Sequence, residues 1–229
     1  MNVSSKLISD RTIQKVTQQA QLTTSYLVFM AMSGVLAAVA LLTNSIPILI
    51  GSMVIAPALP PLGLVSIALV AKKPKLAIQG LKTAFLGFLI AMIFAMLTTW
   101  LLNITYVLPK ETNLINKTLL EERVKPGWYS VIAAIAAGIS GAMQRGLGGF
   151  PHERLHQEAI ALVKQKTDTL VGVVAALALV PAIAAAGIAF LSKNPIMGFG
   201  GLFLLAINVG FIIISGVLTV IIIRPEHRN

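Results

Sequence analysis

Cysteine is absent from the 229-residue chain, which excludes disulfides, thiolate zinc sites and cysteine nucleophiles. Charge is nearly as scarce. Only 11% of residues are Asp, Glu, Lys or Arg, against about 25% in soluble domains, so the chain lacks the polar surface of a water-soluble globule. None of these residues falls between Lys15 and Lys72, from Thr83 to Pro109, from Pro126 to Gln144, from Thr169 to Ser192 or from Asn194 to Ile223. With no acid or base in mid-span, a carboxylate proton relay is not expected. Nor is a secretory signal peptide: the first 24 residues are polar, and the apolar run after them is too long for an h-region.

What remains is apolar: 56% of the residues, with a mean hydropathy of +0.86. A helix needs about 20 apolar residues to cross about 30 Å of hydrocarbon, and the charge-free stretches supply that length repeatedly. The sequence therefore predicts an all-α polytopic membrane protein with six spans, at about 25–42, 46–71, 76–102, 128–144, 169–191 and 196–223. Residues 1–24 form an amphipathic surface helix with Leu7, Ile8, Ile13 and Val16 on one side. Residues 103–127 form an extracytoplasmic loop, residues 145–168 a cytoplasmic amphipathic segment, and residues 224–229 the tail. Trp100, Tyr106, Trp128 and Tyr129 flank that loop like an interfacial aromatic belt.

The net charge of +10 would suggest nucleic acid in a soluble protein, but here the Lys and Arg residues occupy the connections between spans. The partner they imply is the lipid bilayer, not nucleic acid. With the N-terminus inside, thirteen of them fall on the inner side and five, Lys110, Lys117, Arg123, Lys125 and Lys193, on the outer. Both termini are expected in the cytoplasm, in the cell's inner (plasma) membrane.

An internal repeat organises the spans. Sliding the chain by 121 residues places Gly51 on Gly172, Pro60 on Pro181, Lys72 on Lys193, Pro74 on Pro195, Gly80 on Gly201 and Thr98 on Thr219. From Leu49 to Thr98 this gives 12 identities in 50 positions without a gap. Halves at 25–102 and 128–223 would each hold three spans. An odd number makes the two halves cross in opposite senses, as an inverted repeat.

The second span carries Gly51-Ser52 and then Pro57, Pro60 and Pro61. Each proline removes a backbone donor and pushes the preceding residue out of helical geometry. Pro60 and its repeat mate Pro181 each lie near mid-span, so the second and fifth spans are expected to be interrupted there. Backbone groups freed in hydrocarbon need partners in protein or in a wet cavity, and crossed broken helices are where transporters build substrate and ion sites. The candidate substrate- or ion-binding residues are Gly51, Ser52, Pro57, Pro60, Pro61, Gly172, Pro181 and Asn208, with the glycines allowing close backbone approach. Two kinked packing helices are the plainer alternative.

The run Leu42-Thr43-Asn44-Ser45 followed by Ile50-Gly51-Ser52-Met53-Val54-Ile55-Ala56-Pro57 resembles the hallmark of the bacterial membrane family catalogued as domain of unknown function 389. So does Asp168-Thr169-Leu170-Val171-Gly172-Val173 with Leu179-Val180-Pro181. The resemblance covers roughly residues 20–223 and implies a six-span membrane domain. It supplies no substrate and no catalytic residues.

His152-Glu153-Arg154-Leu155-His156 matches H-E-x-x-H, which on a helix puts two zinc-binding imidazoles on one face with Glu as general base. Against this, Pro151 puts His152 in a first turn, and the nearest third ligands, Glu158 and Asp168, are not at a credible spacing. No zinc, catalytic residue or cofactor is expected. Dense small residues at Gly34, Ala37 and Ala38, at Ala133–Gly141 and at Ala182–Gly187 suit close helix contact within or between subunits, and a homo-oligomer is expected. The sequence thus points to a secondary transporter or channel-like permeation protein for a small solute or ion. A zinc metallopeptidase and a non-transporting membrane scaffold are the alternatives.

Overall fold

A computed structural model describes residues 10–105, 118–124, 128–146, 179–192 and 194–222. Every regular element among them is an α-helix. In chain order these are α1 (Asp10–Gln19), α2 (Thr24–Thr43), α3 (Ile46–Ile55), α4 (Leu59–Val70), α5 (Pro74–Ile104), α6 (Thr118–Val124), α7 (Trp128–Gly146), α8 (Leu179–Phe190) and α9 (Ile196–Ile222). The amphipathic segment from residue 147 on, Gly172, the His152-Glu153-x-x-His156 motif and the tail 224–229 lie outside the described residues.

Local chemistry sets the ends. Thr23 caps α2, its hydroxyl accepting the Tyr26 N–H at 3.1 Å. Asn44 ends the helix in the left-handed region at φ 55°, and the Ser45 N–H returns to the Ala40 carbonyl at 2.9 Å. The same closure ends α4, with Lys72 at φ 56° and the Lys73 N–H bonded to the Ala68 carbonyl at 2.9 Å. Prolines open the helices that follow: Pro47 in α3, Pro60 and Pro61 in α4, and Pro74 at the head of α5. In a first turn the missing N–H would have had no intrahelical partner.

Three described helices, α2, α5 and α9, are long and apolar enough to cross a membrane, and the bent α3–α4 pair is a fourth candidate when counted as one span. With 31 residues, α5 is about 46 Å long at about 1.5 Å per residue, so it must tilt or project beyond the hydrocarbon. Helix α2 packs on α5 and α7 on α9, while α4 lies between α5 and α9. The interior is built from alanines and a few large side chains, among them Met30, Leu62, Ile188 and Ile212, all essentially inaccessible. The outside is equally apolar: Phe85, Phe199, Phe203 and Ile196 are 60–78% exposed. A surface this greasy on several sides fits a lipid solvent and makes this a membrane protein.

In the described part of the N-terminal helix, Ile13, Val16 and Ala20 of its apolar side are buried against Leu64 and Ile67 of α4, while Leu7 and Ile8 lie outside the described residues.

Candidate functional site

Helix is interrupted at Ala56-Pro57-Ala58, where the axes of α3 and α4 turn through 50°. Pro57 sits in the break, whereas Pro60 and Pro61 lie in the first turn of α4. Backbone chemistry explains the site. Without N–H groups at 57, 60 and 61, the carbonyls of Met53, Ala56 and Pro57 have no helical donor four residues on. Ser33 on α2 stitches the end of α3 to its neighbour: its hydroxyl donates to the Ser52 carbonyl at 2.9 Å, fully buried. The Ser52 hydroxyl itself turns back to the Leu49 carbonyl at 2.7 Å. Gly51 makes no close approach, because a Cβ there would meet nothing among the described residues. It is partly exposed.

Pro181 is buried in the first described turn of α8, as Pro60 opens α4. Helix α8 is continuous from Leu179 to Phe190, and what precedes it lies outside the described residues. Asn208 is fully buried in mid-α9 and donates its Nδ2 to the Ser130 hydroxyl of α7 at 2.7 Å. Ser52 is thus tied to α2 and Asn208 to α7, so the two polar candidates occupy separate contacts. Ser130 and Ser33 are the partners that residue type alone could not supply.

The packing pairs answer one another across the 121-residue offset. Gly80 lies so close to α4 that a Cβ would sit 2.6 Å from the Pro61 carbonyl and 3.3 Å from the Val65 nitrogen. Gly201 lies against α8 in the same way, 2.9 Å from the Ala182 carbonyl and 3.0 Å from the Ala186 nitrogen. All three positions differ by 121. The contacts between halves are reciprocal as well. Ser66 on α4 donates to the Ile213 carbonyl of α9 at 3.3 Å. A Cβ on Gly187 of α8, the residue 121 after Ser66, would lie 3.2 Å from the carbonyl of Met92 on α5, the residue 121 before Ile213.

Helices α2 and α7 show a similar pair of contacts at a different offset. Gly34 of α2 abuts the Ala91 carbonyl, and Gly138 of α7, 104 residues on, abuts the carbonyl of Ile212, which is 121 after Ala91. Tyr26 fills the space that Gly87 leaves, its hydroxyl donating to the Thr83 carbonyl at 3.2 Å. At the equivalent place small Ser130 meets large Asn208, the sizes exchanged.

The two seams between halves differ. Where α4 meets α7 and α9, a void of about 10 Å³ remains beside Ser66, Gly138, Gly141 and Gly216, about enough for one water. At the equivalent positions between α8, α2 and α5, Ala37 and Ala95 stand for Gly141 and Gly216, and both are fully buried.

Apolar helices of this number and length define an integral membrane protein of the multi-helix kind. Residues 53–146 and 157–214 match the family described as Domain of unknown function (DUF389), which is most of the chain, and the protein belongs to that family. It is also similar to an uncharacterized protein of the archaeon Methanocaldococcus jannaschii, 24% identical over 212 residues. That match covers 93% of this chain and 58% of the relative, so the chain spans less than two thirds of its relative's length. No solved structure matches it.

Proposed function

We propose that the protein is a permeation protein, a secondary transporter or channel for a small solute or ion, built from two inverted three-helix repeats around the broken second span. The observation that carries this reading is the reciprocity of contacts: α4 meets α9 as α8 meets α5, with equivalent residues on each side. Contacts that exchange in this way belong to a two-fold relation, since a simple translation would leave one partner of each pair without its counterpart. With three spans per half, the axis lies in the membrane plane. Inverted repeats with broken helices are an established architecture for alternating access. The unequal seams fit one state of such a cycle, with the alanine-filled seam tight and the glycine-lined one able to part.

The tight interior also favours a second reading, a membrane scaffold that moves nothing. Flux separates the two. Purified protein in liposomes, tested with K⁺, Na⁺, Cl⁻, phosphate and small neutral solutes, is expected to pass at least one faster than protein-free liposomes. A Cβ at Gly141 would meet the tip of Leu59 at 3.2 Å and occupy the void. Gly141→Ala should therefore lower the flux at least threefold while the protein stays folded. A panel in which no solute moves above background would leave the scaffold.

A further inference from the structure

A short helix precedes α2 and another precedes α7, neither long enough in its described extent to span a membrane. The two occupy matching places. Shifted by 104 residues, the offset that relates α2 to α7, Val16 of α1 falls on Leu120 of α6 and Ala20 falls on Val124. All four are buried. Packed with α1 are Leu64 and Ile67 of α4, and Leu76 of α5 lies alongside. Their counterparts 121 residues on are Ala185 and Ile188 of α8 and Met197 of α9. All three pack in the core that holds Leu120 and Val124. The short helices also cross to the opposite half in the same way. Helix α1 touches α7, and α6 touches α2, where the Leu119 N–H donates to Asn44 Oδ1 at 3.2 Å.

These contacts put each short helix across a boundary between halves. At α1 the boundary is the glycine-lined seam. Ile67 is buried in one cluster with Ile13, Val16 and Ala20, and it also lines the void shared by α4, α7 and α9. Val220 of α9, one turn beyond Gly216, packs on the same cluster, so the seat of α1 draws on both halves. We propose that α1 and α6 are a matched pair of straps, α1 holding closed the seam of α4 with α7 and α9, and α6 the seam of α8 with α2 and α5. The inference rests on the inverted-repeat reading above, which puts the two straps on opposite faces of the membrane. Release of one strap frees its own seam and leaves the other shut, the pattern that alternating access requires. A helix of ten residues is marginal by itself in water. Seated only by Ile13, Val16 and Ala20, α1 can lift without disturbing the spans.

Cysteine reactivity tests the straps without a known solute, whereas liposome flux tests the permeation reading. Ala142 lines the void, and Ala38, 104 residues earlier, is its fully buried counterpart. Each is replaced singly by cysteine in the otherwise cysteine-free full chain, in detergent. The rate of reaction with a small methanethiosulfonate then reports how readily water and reagent reach each seam. Adding Val16→Asn in α1 should speed modification of Ala142→Cys about fivefold and leave Ala38→Cys unchanged. Adding Leu120→Asn in α6 should do the reverse. Val16→Ala and Leu120→Ala, milder cuts at the same seats, should shift the rates the same way by less, and they carry the test if the asparagine variants do not fold. Gln18→Ala, on the exposed side of α1, should change neither rate. Unchanged rates in the strap variants would make both helices simple packing and overturn the proposal. Equal acceleration at the two cysteines would mean general loosening and overturn it as well.

Discussion

Gly34 and Gly138 hold their helix pairs together through what they lack. At each, a methyl group would collide with a backbone carbonyl of the facing helix, Ala91 or Ile212, and a carbonyl cannot swing aside as a side-chain tip can. In lipid, where no hydrophobic force drives helices together, such close approach is the source of association through dispersion contacts. Gly34→Ala and Gly138→Ala are each expected to destabilise by about 1–3 kcal/mol through overpacking. Gly51→Ala is the contrast, since nothing meets a Cβ there and helix propensity favours alanine by about 0.5–1 kcal/mol. Thermal unfolding in detergent should show the first two variants below the parent and Gly51→Ala at or above it. A destabilised Gly51→Ala would mean that this glycine makes a close contact after all. Glycine alone thus told little in the sequence: the alignment flagged Gly51 because it repeats, yet Gly34 and Gly138 carry the tighter contacts. What distinguishes them is the carbonyl opposite, and that depends on how helices cross.

Among the elements, the α3–α4 pair shows how far proline chemistry reaches. Three prolines in five residues announced an interrupted span, and the break falls at Ala56-Pro57-Ala58, just before the residue taken as its centre. Pro60 and Pro61 are not in the break because a first turn accepts them. The three prolines hold the break redundantly, since each strips a donor from a different carbonyl. Pro57→Ala alone should leave the bend in place, because Pro60 and Pro61 would still clash inside a continuous helix. Replacing all three by alanine should straighten the pair. Spin labels at Ile46 and Leu69 would then move apart by roughly 3 Å, judged from about 1.5 Å of rise per residue and the 50° turn. An unchanged distance in the triple variant would show that packing against α2 and α5, not proline, imposes the bend. The α1 helix taught the opposite lesson. Its apolar side was plain in the sequence, but amphipathicity does not say whether the apolar partner is lipid or protein, and here it is α4.

For the whole molecule, the proposed repeat rests in the sequence on residues 49–98 and 170–219, where Gly, Pro and Lys marks fall at one offset. The first helices escaped because their offset is 104 and not 121. The extra 17 residues fit the span between α7 and α8, where the sequence also holds its amphipathic segment. Only Gly34 with Gly138 and Ala38 with Ala142 survive as identities among the buried positions of those two helices, too few to find without the contacts themselves. The proposed two-fold relation has a consequence that charge counting also reaches, from unrelated physics. If the halves are inverted, the turn before α5 and the turn before α9 face opposite sides of the membrane, although Pro74 and Pro195 occupy equivalent places in them. The Lys and Arg bias independently puts Lys72, Lys73 and Lys75 inside and the single Lys193 outside. Because the chain has no cysteine, single cysteines report without background. Introduced at Lys75, a cysteine should react with a membrane-impermeant maleimide only in inside-out vesicles; at Asn194 and at Asn113 it should react in intact cells. Labelling of Lys75→Cys and Asn194→Cys from the same side would make the halves parallel. The reciprocal contacts would then need an axis along the membrane normal, and alternating access by exchange of the two halves would be lost with the inversion.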